Sequence, residues 1–155
     1  MLRKLVILVL PIICITFGCE RWIFGPGTPQ RKVPFETLLK DARTFHNHTL
    51  STAVLRSEKE ERLFVQQFAP ARPLPEVDYS DSMVIALLSG ESGVSVSASI
   101  DSIIITTRGL TVYSTVFYPS LGLPAVGYPA HLVTLRTRWE PVNFAPTDIV
   151  CEWKP

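Results

Sequence analysis

Three histidines are the side chains of this sequence best suited to metal binding or acid–base chemistry. His46 and His48 are two residues apart, so on a strand they would project from one face, and His131 could complete a metal site. This spacing is unspecific, and histidines in a polar turn are more often solvated than bound to metal. We therefore predict no metal site and no other cofactor.

The segment 90–93, Gly-Glu-Ser-Gly, comes closest to a hydrolase motif. Its second glycine lies one position too early for a nucleophile elbow, and the strand-turn-helix context of that motif is absent. Asp78 and Asp81 flank a short turn, where acidic side chains usually bond to nearby backbone amides. We predict a protein without catalytic activity. The alternative is a small exported hydrolase or metal-dependent enzyme that uses His131.

The N-terminus has the pattern of an export signal. Arg3 and Lys4 precede an apolar run from Leu5 to Phe17. As a helix this run would be about 20 Å long, which is short of the roughly 30 Å of bilayer hydrocarbon. A basic start, a short apolar segment and then a small residue predict that residues 1–18 are removed. A permanent signal anchor is the alternative.

The end of this run, Gly18-Cys19, resembles the lipobox of bacterial lipoproteins, in which a small residue precedes a lipidated cysteine. The resemblance implies that Cys19 carries lipid and anchors the protein to a bacterial membrane of the cell envelope, facing the periplasm or the exterior. Residues 19–32 contain a Gly-Pro-Gly-Thr-Pro stretch and are predicted to be a tether. Residues 33–155 form the predicted single domain.

Cys151 is then the cysteine that remains near the C-terminus. A lipidated Cys19 could not pair with it, whereas an unlipidated Cys19 could form a disulfide with it in an oxidising compartment. The alternating pattern of residues 148–153 predicts a terminal strand on which Cys151 serves packing rather than catalysis.

Composition favours a β protein and excludes other classes. Hydrophobic residues make up 46% of the chain and charged residues 19%, which argues against a disordered tail. The net charge of +1 provides no basic footprint for nucleic acid. Thirteen prolines and eight glycines are too many for a helical bundle. We predict a mainly β (α+β) fold, a small twisted antiparallel sheet or sandwich with one capping helix.

One helix and one central strand have distinct signatures. Ser57 stands three residues before Glu60, as in a capping box, so a helix is predicted over residues 57–68. Its packing residues are predicted to be Leu63, Phe64 and Phe68. Residues 83–88, Met-Val-Ile-Ala-Leu-Leu, are apolar at every position, which predicts a central strand covered on both faces.

The second half of the chain predicts several further strands. Residues 94–100 alternate between apolar residues and serine, and a hairpin is predicted to join Ile103–Ile105 to Leu110–Val116 through a turn at Arg108-Gly109. Strands are also expected at Thr49–Arg56 and at His131–Arg138.

Residues 76–91 resemble the opening of the PrcB-like domain, a family of small exported proteins named for a subunit of a protease complex. The family shows an acidic Val-Asp-Phe-Ser segment, then Met-Val and an apolar strand that ends in glycine. Residues 128–133 look like its late strand, while residues 92–95 lack its Thr-Gly-Gly-Tyr turn. The resemblance implies a non-catalytic accessory domain that binds or stabilises a partner, such as an envelope protease complex.

A loop from Pro119 to Pro129 is the predicted partner-binding element, together with the turn at Ser89–Gly93. The loop is stiffened by prolines and is more apolar than an idle surface loop needs to be. Its predicted contact residues are Tyr118, Leu121, Leu123 and Tyr128. The loop could instead close the core, and the protein could be a purely structural envelope lipoprotein.

Overall fold

The computed structural model describes residues 31–41, 45–68, 70, 73–93, 95–106, 108–121, 125–136 and 141–152. The predicted signal peptide, Cys19 and Leu123 lie outside these residues, as does the predicted tether apart from residues 31 and 32. Among the described residues, no helix has the length and apolar character needed to cross a membrane.

The described residues form eleven strands and one helix. In chain order they are β1 (Arg31–Lys32), β2 (Glu36–Asp41), β3 (Ser51–Leu55), α1 (Glu58–Phe68), β4 (Met83–Leu88), β5 (Ser92–Gly93), β6 (Ser97–Thr106), β7 (Gly109–Tyr118), β8 (Val126–Gly127), β9 (Ala130–Leu135), β10 (Val142–Phe144) and β11 (Asp148–Cys151). Strands account for 52% and the helix for 10%, which confirms the mainly β prediction.

Two sheets build the molecule. The four-stranded sheet has the order β2-β9-β4-β3 and is antiparallel throughout. The five-stranded sheet has the order β1-β6-β7-β10, and β11 also pairs with β7. Both β10 and β11 run parallel to β7, whereas the other two pairings of this sheet, β1 with β6 and β6 with β7, are antiparallel. A small third sheet consists of β5 and β8.

The strand β4 lies between β9 and β3, and all six of its side chains are buried. Met83, Ile85 and Leu87 face a core shared with the five-stranded sheet. Val84, Ala86 and Leu88 belong to a second core on the opposite face, where α1 packs. The prediction of a central strand covered on both faces is confirmed, because alternate side chains of residues 83–88 pack into two different cores.

The β6–β7 hairpin follows the predicted pairing. Its register places Thr106 opposite Gly109, with a shift between Ile100 and Ser102 that marks a β-bulge. Gly109 has a φ of 112°, and a side chain there would overlap the Pro141 carbonyl oxygen. That oxygen accepts the Leu110 amide proton at 2.8 Å, so the glycine brings the two backbones together where β10 begins.

The helix α1 is capped as its sequence predicts. The Ser57 hydroxyl accepts the Glu60 amide proton at 3.3 Å, and the Glu60 carboxylate accepts the Arg56 amide proton. Glu61 lies in the first turn of α1, and its carboxylate accepts from the Tyr79 hydroxyl. Burial, reinforced by this acceptor, raises the pKa of Tyr79 well above its usual range.

Two packing predictions are wrong. Phe64 is buried and Phe68 packs beside it, but Leu63 is 56% exposed, because the face of α1 that meets the sheet is centred on Phe64. Cys151 lies on a terminal strand as predicted, yet its thiol is exposed and, within the described part of the chain, free. β11 is an edge strand all of whose side chains are exposed, so Cys151 has no layer to pack against.

Candidate functional site

Three chain segments meet at the end of the four-stranded sheet where β4 finishes and β9 begins. Ser92 and Gly93 of β5 pair with Gly127 and Val126 of β8. The Ser89 amide also donates to the Pro129 carbonyl at 2.9 Å. The turn and the loop that the sequence predicted as one surface are therefore adjacent. We name these three segments the end-loop surface: residues 45–50, residues 89–93, and the described parts of the loop, 118–121 and 125–129.

Gly90 determines how residues 45–50 and residues 89–93 meet. Its φ of 89° is a conformation that side chains rarely allow, and a Cβ there would lie 2.9 Å from the Thr49 carbonyl carbon. The turn after β4 consequently rests directly on the backbone that leads into β3. This close approach joins the turn 89–93 to residues 45–50 through their backbones.

Exposed apolar side chains concentrate on this surface. Leu121 is 85% exposed, Val126 59% and Leu50 46%, and they are three of the seven exposed large hydrophobic residues within the described ranges. Scattered exposed apolar residues are ordinary, but several on adjoining segments are typical of a contact surface.

The four predicted contact residues occupy different environments. Leu121 is exposed, whereas Tyr118 is partly buried against the core between the two sheets. Tyr128 is half-buried, and its ring meets the His46 ring edge-on at 5.3 Å between centroids. Leu123 lies outside the described residues. The two tyrosines thus anchor the ends of the loop. Leu121 is the most exposed of the predicted contact residues that the structure describes.

One polar pair joins two of the segments. His48 Nδ1 lies 3.0 Å from a Glu91 carboxylate oxygen, and both side chains are exposed. The pair becomes an ion pair only when His48 is protonated, and exposed pairs of this kind contribute little stability. The two residues are 43 positions apart, so no local pattern in the sequence indicates this contact.

His131, by contrast, is only 3% exposed and lies between the two sheets. Its Nδ1 accepts the Ile100 amide proton at 2.7 Å, so the hydrogen of the neutral ring resides on Nε2, which faces the Thr37 hydroxyl at 3.0 Å. Burial and the nearby Lys40 ammonium, partly offset by Asp101, lower the pKa of His131 to about 4.

The contact between Thr37 and His131 resembles a nucleophile beside a base, but the proton is in the wrong place. A general base needs a free lone pair facing the hydroxyl, whereas Nε2 carries the hydrogen as long as Nδ1 accepts from Ile100. This pair therefore works as a structural hydrogen-bond chain in the arrangement observed.

The remaining candidate residues of a catalytic or metal site do not gather around His131. Asp78 accepts the Ser80 amide proton at 2.8 Å, which confirms its role in a turn, and Asp81 accepts from the Ser82 hydroxyl at 2.7 Å. Both precede β4 at the end opposite the end-loop surface. Within the described ranges, no three His, Cys, Asp or Glu side chains are grouped closely enough to hold a metal ion.

A cleft of about 800 Å³ occupies that opposite end of the molecule. Its walls carry three basic and four acidic side chains above an apolar floor: Arg31, Lys32, Arg136, Glu36, Glu76, Asp78 and Asp81. We assign no ligand to it.

Comparison of the chain with protein-family models, with curated proteins and with solved structures finds no match. The resemblance of residues 76–91 and 128–133 to the PrcB-like family stays a prediction.

Proposed function

We propose that this protein is a non-catalytic, lipid-anchored module of a bacterial cell envelope that binds a partner protein through its end-loop surface. The observation that carries the proposal is the pairing of β5 with β8, which places the turn after β4 beside the loop that bears Leu121 and Val126. Apolar residues on segments that backbone pairing already holds lose less entropy when a partner covers them.

The position of β1, the first strand that the structure describes, supports this arrangement. Arg31 pairs with Ile105, near the hairpin turn of β6, whereas Ser97 at the other end of β6 lies close to the end-loop surface. Eight residue steps at about 3.3 Å each separate these two points by roughly 26 Å. A tether from Cys19 would therefore attach at one end of the domain while the end-loop surface lies at the other.

Such a surface would be presented away from the membrane and towards other envelope proteins. The PrcB-like resemblance suggests one kind of partner, a protease complex that the domain stabilises. The enzyme alternative that uses His131 has less support, because its Nε2 donates to Thr37 and is not free to accept a proton.

The proposal is tested by changing the exposed apolar residues without changing the core. We expect the triple variant Leu50→Ser, Leu121→Ser and Val126→Ser to lose envelope proteins that co-purify with the native chain. Its melting temperature should fall by no more than about 6 °C, since surface changes usually cost within 0.5 kcal/mol each. The control is Leu63→Ser with Ile149→Ser, which removes two apolar residues of comparable exposure outside the end-loop surface.

The control variant should keep every co-purifying protein. A large drop in the melting temperature of the triple variant would instead show that the loop closes the core, as the alternative from the sequence holds. Equal loss of partners from both variants would contradict the assignment of the surface.

A further inference from the structure

His131 connects two sheets that share no strand. It lies on β9 of the four-stranded sheet, and its side chain faces β6 of the other sheet. Near the C-terminal end of β6, backbone groups cover its outer edge. β1 pairs with Ile104 and Ile105, and the Val33 amide donates to the Ile103 carbonyl. Closer to the start of β6, the Ile100 amide donates to the His131 imidazole and not to a neighbouring strand.

A β-bulge explains why a side chain is needed there. The ladder between β6 and β7 shifts between Ile100 and Ser102, with Asp101 as the extra residue. Bulges interrupt regular pairing and turn backbone groups away from the neighbouring strand. The Ile100 amide is buried and requires an acceptor, which His131 Nδ1 provides at 2.7 Å.

From these contacts we propose that His131 is an acid-sensitive latch whose neutral ring keeps the contact between β6 and β9 closed. Protonation adds a hydrogen to Nδ1, the atom that accepts from Ile100. Two N–H donors would then face each other at hydrogen-bond distance, and a positive charge would be buried between the sheets. The protonated ring therefore favours an open β6–β9 contact that admits water over the closed one.

The charges around His131 oppose protonation in the closed state. From β2, Lys40 lies beside it and donates to the Ser99 hydroxyl, while from β6 Asp101 acts in the opposite direction. From β4, the paired residue Leu87 is buried and apolar. Desolvation and Lys40 outweigh Asp101, which is consistent with a pKa lowered from 6.5 to about 4.

The latch makes opening of this contact depend on pH. If the ring titrates at 6.5 when open and near 4 when closed, the opening constant at pH 5 exceeds that at pH 7.5 by about 30-fold. The inference concerns the sheets alone and does not rest on the proposed partner binding.

The tautomer is tested first, on the purified native chain labelled with ¹⁵N. At pH 7, imidazole nitrogen shifts should show hydrogen on Nε2 and a free lone pair on Nδ1, and the ring should begin to titrate only below pH 5. A His131 ring that carries its hydrogen on Nδ1, or that titrates near 6.5, would overturn the latch. This measurement needs no variant.

Hydrogen exchange then tests the opening. After correction for intrinsic exchange, we expect the Ile100 amide to show the roughly 30-fold increase in opening between pH 7.5 and pH 5. His131→Asn keeps an acceptor at the position of Nδ1 but does not titrate, so its increase should be less than about 3-fold. His48→Gln removes an exposed histidine and should behave as the native chain does. The same pH dependence in His131→Asn would contradict the proposal.

Discussion

Replacing Phe64 with alanine should be one of the most damaging single changes to this fold. The Phe64 side chain is 4% exposed, and its ring lies 5.5 Å from the Phe45 ring and 4.9 Å from the Phe68 ring. Removing a buried phenylalanine typically costs about 3–5 kcal/mol, through lost burial and the cavity left behind. For a domain of this size, that corresponds to a melting temperature roughly 10–20 °C lower.

The neighbouring residue provides the control. Leu63 belongs to the same helical turn but is 56% exposed, so Leu63→Ala removes little packing and introduces a better helix former. We expect its free energy of unfolding to stay within about 0.5 kcal/mol of the native value. Urea denaturation followed by circular dichroism measures both variants on the same scale.

The difference between the two variants is the test. Equal losses of stability would mean that α1 packs through Leu63 as well, and would refute the orientation of the helix described here. Phe45 also begins the end-loop surface, and the His46 amide donates to the Phe68 carbonyl at 3.1 Å. Phe64→Ala should therefore increase hydrogen exchange at His46 more than Leu63→Ala does.

Three further predictions concern other parts of the molecule. Gly109→Ala should lower the free energy of unfolding by at least about 2 kcal/mol, measured by urea denaturation, because the new side chain meets the Pro141 carbonyl at a positive φ; a neutral effect would contradict this contact. The pKa of His131 is lowered in the folded state, so as the pH falls below 6.5 the histidine takes up a proton in the unfolded chain before it does so in the folded one. The free energy of unfolding should therefore decrease by up to about 3 kcal/mol, mostly between pH 6.5 and 4. Urea denaturation of His131→Asn should lack that part of the decrease. Cys19→Ser should move the protein from the membrane fraction to the soluble fraction; unchanged fractionation, or an intact Met1 found by mass spectrometry, would exclude the lipid anchor.

Local sequence patterns predicted the elements whose partners are close in sequence or whose burial is complete. The apolar run at 83–88 specified a strand between two cores, and the hairpin of β6 and β7 followed from alternation on both sides of Gly109. The capping box at Ser57 located the start of α1 to within one residue. For the hairpin and the helix cap the determining contacts are close in sequence, whereas β4 is recognised because complete burial requires an apolar residue at every position.

Long-range contacts were the ones that sequence reasoning missed. Nothing in residues 142–151 indicates that β10 and β11 would pair in parallel with β7, because parallel pairing is set by the path of the chain and not by local alternation. The same path leaves β11 at an edge, which is why Cys151 is exposed. His131 was considered as a ligand or a base, yet its role depends on Ile100, 31 residues away.

The most direct test of the proposed function is photo-crosslinking in intact envelopes. A photoreactive amino acid placed at Leu121 or at Val126 should yield the same dominant adduct with a partner protein, because both positions lie on the end-loop surface. The same probe at Leu63 or Ile149, which are exposed elsewhere, should yield none of it. Adducts that are identical at all four positions, or that form only at Leu63 and Ile149, would contradict the assignment of partner binding to this surface.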